Sequence, residues 1–168
     1  KQATATKEED FIEKLFIANT HDYILCFTDL GRMFWLKVYE VPQGGRGARG
    51  KPIVNLLAME QDEKVNAILP VKEFDENHFI FMATSSGIVK KTPLTNFSRP
   101  MKRGIIAINL DESDFLIGVA ITDGQHDVML FSDGGKAVRF EESDVRDTGR
   151  NSRGVIGMRL QKDQKVIS

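Results

Sequence analysis

Cysteine is nearly absent from this 168-residue sequence, which has one Cys, one Trp and two Tyr. A single cysteine cannot form an intrachain disulfide, so a fold held together by disulfides is excluded. Cys26 lies in the apolar run YILCF, without the arrangement of histidine and acid that suggests a nucleophile. We therefore expect Cys26 to be a small buried core residue and the protein to be cytoplasmic, in a reducing compartment.

The sequence also lacks long apolar runs, and its positive and negative charges are nearly balanced. No stretch approaches the roughly 18 apolar residues that mark a transmembrane helix, so we expect no membrane partner. The net charge of −1 is an average that argues against a nucleic-acid partner. The charges are nevertheless segregated: residues 88–110 hold five basic side chains and residues 41–57 hold three, with no acid in either range. The acids cluster instead in EQDEK, EFDE and DESD.

Three glycine-led runs repeat along the chain: RGKPIVNL, RGIIAINL and RGVIGMRL. Their glycines, Gly50, Gly104 and Gly154, are 54 and 50 residues apart, and a Leu follows each glycine after six residues. A second repeated element is an apolar run, a polar turn with glycine, and another apolar run, which predicts a β-hairpin. Helical periodicity is scarce. Four strands in a period of this length are typical of propeller blades.

We therefore predict an all-β fold of propeller-like blade repeats, each of about 50 residues and four short strands, with about three blades present. Residues 1–8 are expected to be a polar lead-in, and residues 9–168 one blade-array domain. The repeats fall at roughly 9–62, 63–112 and 113–168.

A basic loop precedes the glycine-led run in every repeat, in PQGGRGARGK, FSRPMKRG and VRDTGRNSRG. Stacked blades would bring these loops to one edge and form a positively charged track. Charged surface loops are also common without a function, but the recurrence at one repeat position favours a binding role. The candidate residues are Arg46, Arg49, Lys51, Lys90, Lys91, Arg99, Lys102, Arg103, Arg150 and Arg153, with Arg146 at a corresponding position.

Nucleotide sites are excluded by local context. Gly45, Gly50 and Lys51 fit the start of a phosphate-binding loop, but Pro52 stands where Ser or Thr should hold Mg²⁺. The dinucleotide pattern at Gly45, Gly47 and Gly50 lacks the helix that must follow it.

Catalytic and metal sites are not indicated either. The three histidines lie in different repeats, each before a hairpin, and are expected to serve in turns rather than bind a metal. The adjacent pairs Asp62/Glu63 and Glu141/Glu142 are expected to be solvated. We predict no catalytic residues, no metal and no cofactor for this chain.

The segments KEEDFIEKLFIANTHDYILCFTDLGRMFWLKVYEVPQGGRGARGKPIVNLL, MATSSGIVKKTPLTNF and VMLFSDGGKAVRFEESDVR closely resemble the carboxy-terminal domain family of the bacterial DNA gyrase A protein. The resemblance runs from about Lys7 onward. The related topoisomerase IV domain is an alternative, although RGARGKPIVNLL is more similar to gyrase.

This resemblance implies a β-pinwheel whose hairpins exchange between neighbouring blades and whose basic rim wraps duplex DNA. It implies partnership with the rest of the gyrase A protein and, through it, with the gyrase B protein, in ATP-dependent negative supercoiling near the bacterial chromosome. ATP and Mg²⁺ would act at sites outside this chain. A propeller-like protein-interaction module is the alternative function.

One feature departs from the family. QGGRGARG lacks the adjacent basic pair of the family's signature box, so it resembles a degenerate copy in a following blade. The box itself is expected before Lys1, and this segment is expected to contribute to DNA contact without supporting a full wrap.

Overall fold

The computed structural model describes residues 22–37 and 56–168. Their elements, in chain order, are β1 Tyr23–Thr28, β2 Arg32–Lys37, β3 Val65–Val71, β4 Phe79–Thr84, β5 Ile88–Pro93, a 3₁₀ turn Leu94–Phe97, β6 Ile105–Ile106, β7 Leu116–Thr122, β8 Asp127–Phe131, β9 Ala137–Glu141, a 3₁₀ turn Glu142–Asp144 and β10 Val155–Ile156. No helix in these ranges is long and apolar enough to cross a membrane. The predicted all-β fold is confirmed.

Strands from two successive repeats build each complete sheet. The first sheet has the order β3-β1-β2-β6 and the second has the order β7-β4-β5-β10, with every neighbouring pair antiparallel. In both, a hairpin lies in the middle, while the lead-in strand and the glycine-led strand of the following repeat flank it. Four short strands were predicted for each repeat; each complete sheet does have four strands, but they come from two repeats, so a sequence repeat and a sheet are not the same unit.

The third hairpin, β8–β9, forms a two-stranded sheet. The last residues of the chain lie against β8, where the amide of Ile167 donates to the carbonyl of Phe131 at 2.8 Å, and the amide of Phe131 donates to the carbonyl of Ser168 at 2.8 Å. Residues 165–168 thus take the place beside β8 that β3 and β7 hold beside β1 and β4.

Strand β1 is buried on both faces because apolar clusters cover each of them. Leu25 and Phe27 pack into one cluster with Ile80 of the second sheet, while Cys26 packs into another on the opposite face. Cys26 is fully buried, and burial raises the pKa of its thiol to about 12. Cys26 is therefore a core residue, as predicted. Each fully buried large apolar side chain contributes about 1.5–3 kcal/mol.

Glycine is required at the hairpin turn of β1–β2 and at the start of β6. Gly31 has φ +81°, and a Cβ there would lie 2.7 Å from the carbonyl oxygen of Ile108 in the next repeat. Gly104 has φ +73°, and its Cβ would lie 2.6 Å from the ring of Phe34. The first repeat therefore contacts the backbone of the second without an intervening side chain.

Two acids fasten the hairpin turns to the lead-in strands. Glu63 is 5% exposed; its carboxylate accepts from the Thr28 hydroxyl at 2.5 Å and from the Arg32 guanidinium at 3.0 Å. Asp114 accepts from Ser85 and Ser86 in the equivalent turn. Burial alone would raise the pKa of Asp114, but these hydrogen bonds lower it below the ordinary value.

The expectation that Asp62/Glu63 and Glu141/Glu142 are solvated is wrong for one member of each pair. Glu63 is buried and Glu142 is fully buried, whereas Asp62 and Glu141 are exposed. The buried members make contacts with residues distant in sequence, which adjacency in sequence does not reveal.

Candidate nucleic-acid interface

The basic loops of the second and third repeats, residues 98–104 and 145–154, form the candidate interface. Arg46, Arg49 and Lys51 belong to the first copy of this loop and lie outside the described residues. Their role stays a prediction.

The loop 98–104 presents its three cations to solvent: Arg99, Lys102 and Arg103 are all exposed. Both ends of this loop are anchored by residues that pack in the interior. Phe97, just before the loop, is fully buried, and its carbonyl accepts from the indole of Trp35 at 2.7 Å. The loop therefore has an ordered base, because its entry is anchored by an aromatic side chain and its exit by Gly104.

Arg32 supports this loop from the hairpin of the first repeat. Its guanidinium donates to the backbone carbonyl of Arg103 at 2.7 Å and to the carboxylate of Glu63 at 3.0 Å. Sequence reasoning missed Arg32, because the residue after the turn glycine differs between repeats: Arg32, Ile88 and Lys136. No repeat signal marks it.

The loop 145–154 is fastened to the edge of strand β5. The amide of Thr148 donates to the carbonyl of Lys91 at 2.8 Å, and the hydroxyls of Thr148 and Ser152 lie 2.9 Å apart. Arg146 is exposed and Arg150 half-buried. The loop therefore carries its cations on a backbone that is bonded to the sheet.

Arg153 is exposed, but its guanidinium forms an ion pair with the Asp111 carboxylate at 2.5 Å. Asp111 belongs to the acidic segment DESD, which follows the glycine-led run of the second repeat. This pair offsets one positive charge at the interface.

The two loops converge on one groove. A cavity of about 300 Å³ is lined by Arg103 and Met101 from the first loop and by Arg150 and Asn151 from the second. The amide of Asn109 also donates to the carbonyl of Ser152 at 3.1 Å. Cations from two successive repeats therefore share one concave surface, which sequence spacing predicted only as an edge.

Lys90 lies beneath these loops rather than on them. Its side chain is 1% exposed, and its ammonium donates to the carbonyls of Ala107, Arg150 and Ser152 at 2.8, 2.5 and 3.1 Å. Burial, followed by the charge of Arg150, lowers the pKa of Lys90 to about 8. Lys90 thus joins the loop 145–154 to the segment that follows β6.

Lys91 is buried as well, at 6% exposure. Its ammonium donates to the backbone carbonyl of Glu142 at 3.1 Å and lies 4.8 Å from the ring centre of Phe79. Direct ligand contact by Lys90 and Lys91 stays a prediction, and their burial argues against it.

The chain is similar to proteins of one family throughout the described ranges. A family model described as "DNA gyrase C-terminal domain, beta-propeller" matches residues 22–72, 78–123 and 126–168. The A subunit of DNA gyrase from Klebsiella oxytoca is 59% identical over 168 residues, which is 100% of this chain and 19% of that protein. The chain thus spans about a fifth of the length of this relative.

Two solved structures have a fold similar to that of this chain. The crystal structure of the C-terminal domain of DNA topoisomerase IV has a TM-score of 0.83 at 31% identity, over 89% of this chain and 47% of that one. The structure of a DNA gyrase A C-terminal domain has a TM-score of 0.72 at 26% identity, over 90% of this chain and 48% of that one.

Proposed function

This chain belongs to the family of DNA gyrase C-terminal domains, and from that premise we propose that it binds and bends duplex DNA without reading its sequence. The observation that carries the proposal is the groove that is lined by both Arg103 and Arg150, from two successive repeats. The interface consists of Arg99, Lys102, Arg103, Arg146 and Arg150, with Arg153 beside them in its ion pair with Asp111, together with Arg46, Arg49 and Lys51 of the first loop.

Phosphate contacts account for affinity without sequence readout. Arginine and lysine that neutralise phosphates release counterions, so binding weakens steeply as salt rises. Contacts to phosphate and sugar fix the position of the duplex but carry no base information. The recurrence of the loops along the repeats spreads the cations over several points of contact.

Bending requires several loops to act together. Smooth bending of 20–30 base pairs costs about 1–6 kcal/mol, which must be offset by contacts distributed along the bend. The packed sheets provide a rigid support, because the loops are fixed by Arg32 and Lys90 from neighbouring elements.

In the larger enzyme we propose a non-catalytic role. The chain would act with the rest of the gyrase A protein, and through it with the gyrase B protein, to support negative supercoiling that depends on ATP. ATP and Mg²⁺ would bind outside this chain. The same role in topoisomerase IV is the alternative, but 59% identity to a DNA gyrase A protein favours gyrase.

The test is the salt dependence of duplex binding. We would measure fluorescence anisotropy of a long duplex over a range of salt for the wild-type protein, Arg103→Ala, Arg150→Ala and the double variant. Each lost phosphate contact should reduce the slope of log K against log salt by about 0.9. Lys72→Ala is the matched control, since this exposed lysine lies outside the basic loops.

A wild-type slope in the double variant would overturn the proposal. Equal affinity for duplexes of unrelated sequence is expected, and a strong preference for one sequence would contradict it. A protein-interaction module would instead show weak duplex binding with little response to either arginine substitution.

A further inference from the structure

Glu142 places a carboxylate where the earlier repeats have an apolar residue. Seven residues after the hairpin glycine stand Val38, Leu94 and Glu142 in the three repeats. Leu94 is 2% exposed and Glu142 is fully buried. Each of these two amides donates to the carbonyl of the histidine directly before its hairpin, Leu94 to His78 and Glu142 to His126. The two positions are thus equivalent, and a leucine fits there.

One oxygen of the Glu142 carboxylate accepts a hydrogen bond, and the other has no partner in the described residues. The amide of His126 donates to Oε1 at 2.8 Å, while the amide of Glu142 donates back to the carbonyl of His126 at 2.8 Å. The buried Oε2 has no hydrogen-bond partner in the described residues. Lys91 donates to the backbone carbonyl of Glu142, not to its carboxylate. Burying a carboxylate oxygen without a partner is costly, and buried charges are usually ion-paired or coordinate metals.

Two further ligand atoms lie beside this carboxylate. Asp123 and His126 belong to the turn before β8, and His126 Nε2 lies 3.4 Å from Asp123 Oδ1. Ligand atoms of these two residues and of Glu142 all lie within 4.8 Å of one another. Adjacent ligands in a tetrahedral zinc site with bonds of about 2.0–2.1 Å are about 3.3 Å apart. The Asp123–His126 pair already has that spacing.

We propose that Asp123, His126 and Glu142 bind a divalent transition-metal ion of the Zn²⁺ class, with water at the remaining position. Imidazole among the ligands favours Zn²⁺ over Mg²⁺ and Ca²⁺, which prefer oxygen alone. Glu142 is held rigidly, and the exposed side chains of Asp123 and His126 close on the ion. The ion neutralises the buried carboxylate and ties the turn before β8 to the turn after β9, so it closes the base of this hairpin.

The second repeat provides an internal control. Asp75 and His78 form the same turn, with His78 Nδ1 2.7 Å from Asp75 Oδ1, but Leu94 replaces the third ligand. The substitution Glu142→Leu therefore copies a residue that the same fold already accommodates, and it removes the ligand without leaving a cavity.

The experiment titrates the metal-free protein with Zn²⁺ against a chromophoric chelator, in the absence of DNA, for wild type, Glu142→Leu, His126→Asn and His78→Asn. We expect one site in the wild type and in His78→Asn, with affinity at least about tenfold weaker in the other two variants, because even the loss of a residue that only supports a metal ligand costs about 10–100-fold. Equal zinc affinity in wild type and Glu142→Leu would overturn the proposal, as would no binding by the wild type.

A measurement on the unaltered protein keeps the proposal testable if a variant fails to fold. Zn²⁺ should shift the imidazole ¹⁵N resonances of His126 and leave those of His78 in place. A shift confined to other histidines would overturn the assignment. Neither readout involves DNA, so failure here leaves the proposed function intact, and failure of DNA binding leaves this site intact.

Discussion

Lys90 illustrates how a single buried charge can organise an interface. Desolvating an ammonium costs several kcal/mol, and three backbone carbonyls repay part of this cost by accepting its hydrogens. Two of them belong to the loop 145–154 and one follows β6. The side chain therefore acts on the position of the loop that carries the arginines, and its burial argues against direct contact with phosphate.

The substitution Lys90→Met should destabilise the protein by about 2–4 kcal/mol, because the carbonyls that it leaves behind lose a buried partner. Methionine retains most of the volume of the side chain, so the change isolates the charge and its hydrogen bonds. Urea unfolding measures the loss, and Lys162→Met, at an exposed lysine, should be neutral. Equal stability of Lys90→Met and wild type would show that the three hydrogen bonds contribute nothing.

The difference in folding stability between the wild type and Lys90→Met should depend on pH. The pKa of Lys90 is lowered in the fold from 10.5 to about 8, so between these values the unfolded chain binds more protons than the folded one. Stability therefore rises with pH across this window. The wild type gains this contribution and Lys90→Met does not, so the difference between them should be larger at pH 9.5 than at pH 7.

Single-residue burial was the hardest property to predict from sequence. Cys26 was placed correctly because its whole segment is apolar. The consecutive Lys90 and Lys91 resemble an exposed basic segment, since nothing in β5 itself shows that the next repeat supplies carbonyls above it. Glu63 and Glu142 were misjudged because their hydrogen-bond donors, Thr28 and Arg32 for Glu63 and the amide of His126 for Glu142, are distant in sequence.

At the scale of elements, the repeated glycines predicted the hairpins and the glycine-led strands. Gly31, Gly87 and Gly135 turn the three hairpins with positive φ, as the polar-turn pattern indicated. The pairing of β6 with β2 and of β10 with β5 was not derivable from spacing. A period in sequence fixes which elements recur, but the sheet in which each strand pairs depends on contacts between repeats.

The substitution Gly104→Ala should destabilise the protein by about 2–4 kcal/mol, from left-handed backbone strain and overlap with Phe34. It should also weaken duplex binding, because Gly104 directly follows Arg103. Thermal unfolding and anisotropy measure the two effects.

Gly118→Ala is the matched control for that change. Gly118 lies in β7 with open space around its Cβ direction and no positive φ, so the change in stability should be below about 1 kcal/mol. Similar losses in both variants would mean that the close contact at Gly104 does not determine the packing of the repeats.

At the scale of the whole molecule, a net charge of −1 coexists with exposed basic loops, and several of the acids are buried within the fold. Glu63 and Asp114 fasten hairpin turns, and Glu142 lies in the interior. The average charge therefore says little about the field near the loops. Asp111 differs, since it is exposed and offsets Arg153 at the proposed interface.

The substitution Asp111→Asn should strengthen duplex binding, because it frees Arg153 for a phosphate and removes a negative charge from the edge. One additional phosphate contact should steepen the slope of log K against log salt by about 0.9. Folding stability should change by less than about 1 kcal/mol, since an exposed ion pair contributes little. Anisotropy across a salt series measures the slope.

Glu112→Gln is the matched control, and it distinguishes the effect of releasing Arg153 from the effect of the change in net charge. Glu112 is exposed and forms no ion pair within the described part of the chain, so its substitution removes the same charge without releasing a cation. Both variants should bind more tightly at low salt, but only Asp111→Asn should steepen the slope. Equal slopes in the two variants would place Arg153 away from the phosphates and confine the interface to Arg146 and Arg150 in this loop.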